Sequence, residues 1–125
     1  MTTWTRDELS TIANADELDI RPARADGTLR SPVPIWVVRH GQDLYVRAYR
    51  GNTGSWYRTA LANGSGHISA GGVTKDVTFV AETDDSVGDG IDAAYRSKYR
   101  RYGASYLDPM IAPAARAATL KLLPR

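Results

Sequence analysis

Apolar and polar positions alternate most strictly along Leu44-Tyr45-Val46-Arg47-Ala48-Tyr49. Leu44, Val46 and Ala48 fall on one face of a strand, and Tyr45, Arg47 and Tyr49 fall on the other. The small aliphatic face suits a barrel interior. An arginine between two tyrosines suits an outer face covered by a ligand or another subunit. Upstream, residues 33–39 (Val33-Pro34-Ile35-Trp36-Val37-Val38-Arg39) are apolar on both faces, as in a strand covered on two sides. His40-Gly41-Gln42-Asp43 turns the chain between the two. Residues 17–22 alternate charged and apolar and predict an edge strand ended by Pro22. Strands over 66–70 and 73–81 pair around Gly71-Gly72, and residues 119–124 form a closing strand. Six strands result, and closing them into a small barrel hides their edges.

Helical signals are fewer. Thr5 and Glu8 have capping-box spacing, and Trp4 with Leu9 has staple spacing, so a helix covers about 6–14. Arg50-Gly51-Asn52-Thr53-Gly54 is a glycine-bearing loop; Ser55 then serves as N-cap of a two-turn helix over 56–62, stopped by Asn63-Gly64. A long helix spans 89–102 and stops at Gly103. With 125 residues, no internal repeat and no linker-like stretch, the chain is one mainly β domain, an antiparallel barrel with peripheral helices.

Composition narrows the chemistry. The chain has no cysteine, which excludes disulfides and thiolate chemistry and makes a reducing cytoplasm the expected compartment. Met1-Thr2-Thr3-Trp4-Thr5-Arg6-Asp7 lacks the apolar run of a leader, and no stretch reaches membrane-spanning length. Sixteen basic and fourteen acidic residues leave a formal charge of +2, so placement of charge matters more than its sum. Arg96, Lys98, Arg100 and Arg101 could touch a nucleic-acid backbone, but no recognised module accompanies them; a solvated helix end is the reading kept, with no nucleic-acid partner. His40 and His67 stand alone, so no metal site is expected, and no acid identifies a triad with His67 and Ser69.

The densest local signal runs from Arg47 to Arg58. A helix start carries unpaired N–H groups and partial positive charge, glycines admit close approach, and Arg47, Arg50 and Arg58 can close around a phosphate or carboxylate. The competing reading is a solvated hairpin corner whose arginines pair with surface acids. On the long helix, Asp92, Tyr95, Tyr99, Tyr102 and Tyr106 follow at steps of three or four. Asp92, Tyr95 and Lys98 are the catalytic candidates, as acid–base groups or as grips on a polar substrate. Tyrosines so arranged more often pack their rings on a sheet and wet their hydroxyls, and packing is the favoured reading.

Several segments together resemble the bacterial DUF2255 family, a domain of unknown function. They include Arg24-Ala25-Asp26-Gly27, Ser31-Pro32-Val33-Pro34-Ile35-Trp36, Gly54-Ser55-Trp56-Tyr57-Arg58 and Ile91-Asp92-Ala93-Ala94-Tyr95-Arg96-Ser97-Lys98-Tyr99. That family is similar to the pyridoxamine-phosphate-oxidase-like split barrels, including deazaflavin-dependent nitroreductases. The resemblance implies a six-stranded split barrel, a homodimer, and FMN or deazaflavin held against the outer barrel face. It places Arg47, Tyr49, Arg50, Gly51, Gly54, Ser55, Trp56, Tyr57 and Arg58 at the cofactor, chiefly its phosphate, with Pro34 and Trp36 flanking the ring. The glycine/lysine-rich segment of the nitroreductases is replaced here by Thr28-Leu29-Arg30-Ser31, and the 92–99 helix is not a feature of the flavin enzymes. Two functions are therefore carried: a flavin- or deazaflavin-dependent oxidoreductase for a small molecule, and a cofactor-free barrel binding an anionic metabolite or acting on it by acid–base chemistry.

Overall fold

The computed structural model describes residues 3–125; Met1 and Thr2, which open the stretch read above for a leader, lie outside the described residues. Helix α1 (Arg6–Asn14) leads into β1 (Leu18–Pro22), followed by β2 (Val33–Ile35), β3 (Val38–His40) and β4 (Asp43–Arg47). A 3-10 turn (Gly51–Thr53) and α2 (Ser55–Asn63) precede the hairpin β5 (Ser65–Ala70) and β6 (Val73–Ala81). Then come α3 (Asp85–Tyr99), a 3-10 turn (Arg100–Tyr102), α4 (Ala104–Ile111), α5 (Pro113–Arg116) and β7 (Thr119–Pro124). The strands form one antiparallel sheet in the order β2-β1-β5-β6-β7-β4-β3.

The stretch expected to be one strand over 33–39 is two. β2 pairs with β1 at one edge of the sheet, and β3 pairs with β4 at the other. Only Trp36-Val37 joins them, so the sheet must curl until its edges nearly meet. This makes seven strands instead of six, and it explains the apolar run. Val33 and Ile35 border one cluster, while Val38 belongs to another across the seam. Ladder bonds do not close the gap; α3 does. Val37 N–H donates to Tyr99 Oη at 3.1 Å, and the Val37 carbonyl accepts from Lys98 Nζ at 2.6 Å and from Tyr99 Oη at 3.1 Å. β1 is likewise not an edge strand, because β2 lies outside it; Pro22 ends it without cost as its last residue.

Inside the curl, Leu18, Ile20, Leu44, Val46, Ile68, Leu120 and Leu122 are fully buried. The capping box of Thr5 and Glu8 is formed, and α1 plugs one end with Leu9 and Ile12. Trp4 packs there too and donates from Nε1 to the Leu122 carbonyl at 2.9 Å. A second cluster lies outside, where Val38 and Tyr45 meet Ile91, Tyr95, Tyr99 and Met110. The outer face assigned to a ligand or a partner is thus covered by the chain's own α3 and α4. α3 starts at Asp85, four residues before the expected Asp89, because Asp84 caps it by accepting from Val87 N–H at 3.1 Å. Glycines allow its close seat: a Cβ at Gly88 would strike the Arg116 guanidinium, and one at Gly90 the His40 ring. Among the described residues, no helix is long and apolar enough to cross a membrane.

Candidate functional site

The stretch from Arg47 to Arg58 does not form one corner. At the end of β4, Arg47 is only 1% exposed, and its guanidinium is consumed internally. Nε donates to Thr119 Oγ1 at 3.0 Å, and NH1 donates to the Asp92 carboxylate and to the Met110 carbonyl at 3.0 Å. NH2 donates to the Gly88 carbonyl at 3.2 Å. The other Asp92 oxygen accepts from Arg116 NH1 at 3.0 Å, and Arg116 also binds Asp89 at 2.8 Å. Arg47 therefore staples β4, β7, α3 and α4 together. A buried arginine needs such partners, because leaving its charge bare costs several kcal/mol.

Ser55 is the first helical residue of α2 and not its cap; Gly54 is the cap and offers no side-chain bond. The helix does stop as expected, at Gly64 with φ +71°, whose N–H returns to the Ala60 carbonyl. Tyr57 points into the barrel core, where burial raises its pKa, and Gly51 at φ +65° packs against Ala114. Neither lines the groove described next. What remains is a groove of two adjoining cavities, about 230 and 400 Å³, that share Pro34, Ile35, Tyr49 and Trp56. Trp36, Tyr106, Met110, Glu17 and the edge of Arg47 complete the smaller one. Arg50, Thr53, Gly54 and Ser55 line the larger. Tyr49 and Tyr106 stand at the lips, 61% and 66% exposed. Of the expected cofactor-binding residues, Pro34, Trp36, Tyr49, Arg50, Gly54, Ser55 and Trp56 thus gather on one groove, whereas Arg58 turns to a different cleft with Arg24 and Arg30.

The three catalytic candidates do not converge. Asp92 is held between two arginines, and Tyr95 is fully buried with its hydroxyl unpartnered among the described residues. Burial raises the Tyr95 and Tyr99 pKa values, and Tyr45 is pushed up to about 12, also by burial. Lys98 lies at the barrel seam, lowered to about 8 because burial penalises its charge. Trp36 stacks flat on Tyr99 at 3.9 Å and is flanked by Tyr102, whose hydroxyl donates to Asp16 at 2.9 Å. The helix face is a packing face, as favoured from its spacing. His67 meets Asp76 at 3.0 Å on an exposed hairpin, and no group of three or more metal-ligating side chains occurs among the described residues.

Tyr106 and Met110 were not read from the sequence as groove residues. Their spacing in Tyr106-Leu107-Asp108-Pro109-Met110-Ile111 is helical, but Pro109 inside α4 and Gly103 before it mask the helix. Arg24 and Arg30 carry no local signal beyond their charge, since only the loop's return to α2 brings them together.

A curled antiparallel sheet whose edges part at Trp36-Val37 is a split β-barrel. The chain matches the family of an uncharacterized protein conserved in bacteria (DUF2255) over residues 8–122, and it belongs to that family. No curated protein matches it in sequence. Among solved structures, it is similar to a candidate pyridoxamine 5'-phosphate oxidase from Listeria innocua, with a TM-score of 0.64 and 11% identity. That match covers 94% of this chain and 90% of the other. A FAD-binding protein from Mesorhizobium loti gives 0.59 and 17%, covering 98% and 91%. HutZ, the heme storage protein of Vibrio cholerae, gives 0.63 and 13%, covering 100% and 92%. Such low identities establish the fold alone, which in these proteins accompanies more than one kind of ligand.

Proposed function

We propose that the groove holds the ring of a flavin or deazaflavin, and that the protein is an oxidoreductase-like protein acting on a small molecule. The observation that carries this reading is an aromatic slot running into a helix start that has no side-chain cap. Pro34, Trp36, Trp56, Tyr49 and Tyr106 supply flat apolar surface suited to a conjugated ring. Arg50, Gly54 and Ser55 offer a guanidinium, close backbone approach and N–H donors suited to FMN's phosphate or the corresponding group of a deazaflavin. These residues fit the group in size and chemistry: the two cavities together fall within the roughly 300–1,000 Å³ usual for a small-molecule site. The bound cofactor would supply hydride transfer, while the protein binds, orients and shields it from water. Asp92, Tyr95 and Lys98 have no part in this reading.

On this reading the ring lies on the outer barrel face beside α4, at Tyr49 and the edge of Arg47, because α3 covers that face at Tyr45. The same occupancy favours a second reading, a cofactor-free barrel binding an anionic metabolite at Arg50 and Ser55. Titration of tryptophan fluorescence with FMN and a deazaflavin separates the two. Saturable quenching that weakens at least tenfold in Tyr106→Ala supports the ring site; absence of quenching by either ring compound removes it. A homodimer remains proposed, although two of its supports, the Tyr45/Arg47 face and Val38, are covered within one chain. Sedimentation at micromolar concentration decides, and a monomer that does not shift on concentrating excludes it.

A further inference from the structure

Three arginines with no ion pair among the described residues lie not in the groove but beside it. A cleft of about 580 Å³ separates the exposed face of α2 from the loop joining β1 and β2. Its polar walls are Arg24, Arg30, Arg58, Ser55, Thr59 and Asn63, with no acid among them. Two of the guanidiniums are fixed by neutral acceptors. Arg30 donates to the Ser55 carbonyl at 3.0 Å, to Thr59 Oγ1 at 2.9 Å and to Ser55 Oγ at 3.3 Å. Arg24 donates to the Leu29 carbonyl at 2.9 Å and to Thr28 Oγ1 at 3.3 Å. The loop itself is locked by Asp26, which accepts from Thr28 N–H at 3.0 Å and Thr28 Oγ1 at 2.7 Å. Neutral acceptors orient a guanidinium but do not cancel its charge, although Arg24 also has the Asp26 carboxylate nearby, whose pKa is lowered first by its Thr28 hydrogen bonds and further by Arg24. Arg58 is exposed and has no side-chain partner among the described residues.

Three like charges around one cleft repel one another, and an anion placed among them relieves that repulsion. Fixed guanidiniums also lose little freedom on gripping phosphate or carboxylate oxygens. Ser55 lines both this cleft and the groove, so the two adjoin at the start of α2. We propose that Arg24, Arg30 and Arg58 form a second anion subsite, which takes the distal anionic group of an elongated ligand whose ring lies in the groove. The ligand class is therefore one with a pyrophosphate-linked or carboxylate-bearing tail, in preference to a ring with a single phosphate. This rests on the groove reading for the ring, but the charged cleft is testable by itself.

Isothermal titration at low ionic strength with inorganic pyrophosphate, FMN and FAD, on wild type, Arg58→Ala, Arg24→Lys and Arg96→Ala, tests it. Arg96 is exposed on α3 and lies outside both cavities. Pyrophosphate should bind saturably and weaken roughly tenfold or more in Arg58→Ala, the effect of one charge-assisted contact, while Arg96→Ala binds as wild type does. FAD should bind more tightly than FMN, and that margin should shrink in Arg58→Ala and in Arg24→Lys. Equal affinity of wild type for FMN and FAD overturns the tail subsite. So does an Arg58→Ala protein, folded by circular dichroism, that binds pyrophosphate and FAD unchanged, or an Arg96→Ala protein that loses as much as Arg58→Ala. If pyrophosphate binds as expected and neither flavin does, the groove reading fails and the anion cleft stands.

Discussion

Arg47 and Arg58 bracket one short stretch of chain, yet they meet opposite environments. Around Arg47, every hydrogen-bond partner is an acceptor: a carboxylate, two carbonyls and a hydroxyl bind a fully buried guanidinium that also lies over the Tyr95 ring. Around Arg58, the neighbours are two more guanidiniums, and water reaches all three. The first arrangement spends its charge on holding four elements together. The second leaves its charge facing water, where an anion can still be taken up. An arginine's position in a charged run therefore says little about its role; what it is paired with says most.

That contrast can be broken most forcefully at Arg47. Replacing it with alanine would leave the Asp92 carboxylate to Arg116 alone and take a donor from two carbonyls and from Thr119 in the interior, so Arg47→Ala should lose about 3–5 kcal/mol in urea denaturation. A loss below about 1 kcal/mol would mean that water already serves these groups, and the internal-staple reading would fall. The next effect separates two tyrosines of the same helix. Tyr99→Phe removes the hydroxyl that satisfies Val37 N–H at the barrel seam and should cost about 1–3 kcal/mol. Tyr95→Phe removes a hydroxyl with no partner and should change stability little, whereas Tyr95→Ala should cost about 3–5 kcal/mol through its cavity. Comparable losses for the two phenylalanine variants would show that an unseen water bonds Tyr95.

Lys98 gives a pH-dependent version. Its folded pKa of about 8 lies below its ordinary 10.5, so between those values the unfolded chain binds more protons. Stability should then rise as pH increases from about 8, until Tyr45, Tyr95 and Tyr99, whose folded pKa values are raised, begin to oppose it above about 10. The rise should vanish in Lys98→Met; thermal melts at pH 7.5, 8.5 and 9.5 measure it, and an identical rise in the variant removes Lys98 as its source. The smallest stability effect belongs to Arg58. Arg58→Ala should stay within about 0.5 kcal/mol of wild type while losing anion affinity, the reverse of what Arg47→Ala does.

Most of the barrel was legible because its signals are local and mutually consistent. The capping box at Thr5 and Glu8, the 66–81 hairpin around Gly71-Gly72 and the closing strand all appear where the pattern put them. Residues 33–39 misled because a strand buried on both sides and a chain crossing between two covered edges have the same apolar pattern. Only the pairing partners, β1 and β4, distinguish them. The groove was half legible: Pro34, Trp36, Tyr49, Arg50 and Trp56 were named, but Tyr106 and Met110 come from a helix hidden by Pro109. The internal bonding of the Arg47 guanidinium was not legible, because alternation fixes which face a residue occupies and is silent about what covers that face.

The strand order has a consequence for how the chain is made. β7, the last of the seven strands in chain order, lies in the interior of the sheet between β6 and β4. Until it emerges, β4 and β6 each lack a neighbour, and Trp4 has no Leu122 carbonyl to bind. The nascent chain must therefore wait with two open strand edges, and commitment to the native topology follows the emergence of β7. Slow codons or a stall before Thr119 would prolong that exposure, whereas an early stall near β2 would cost little.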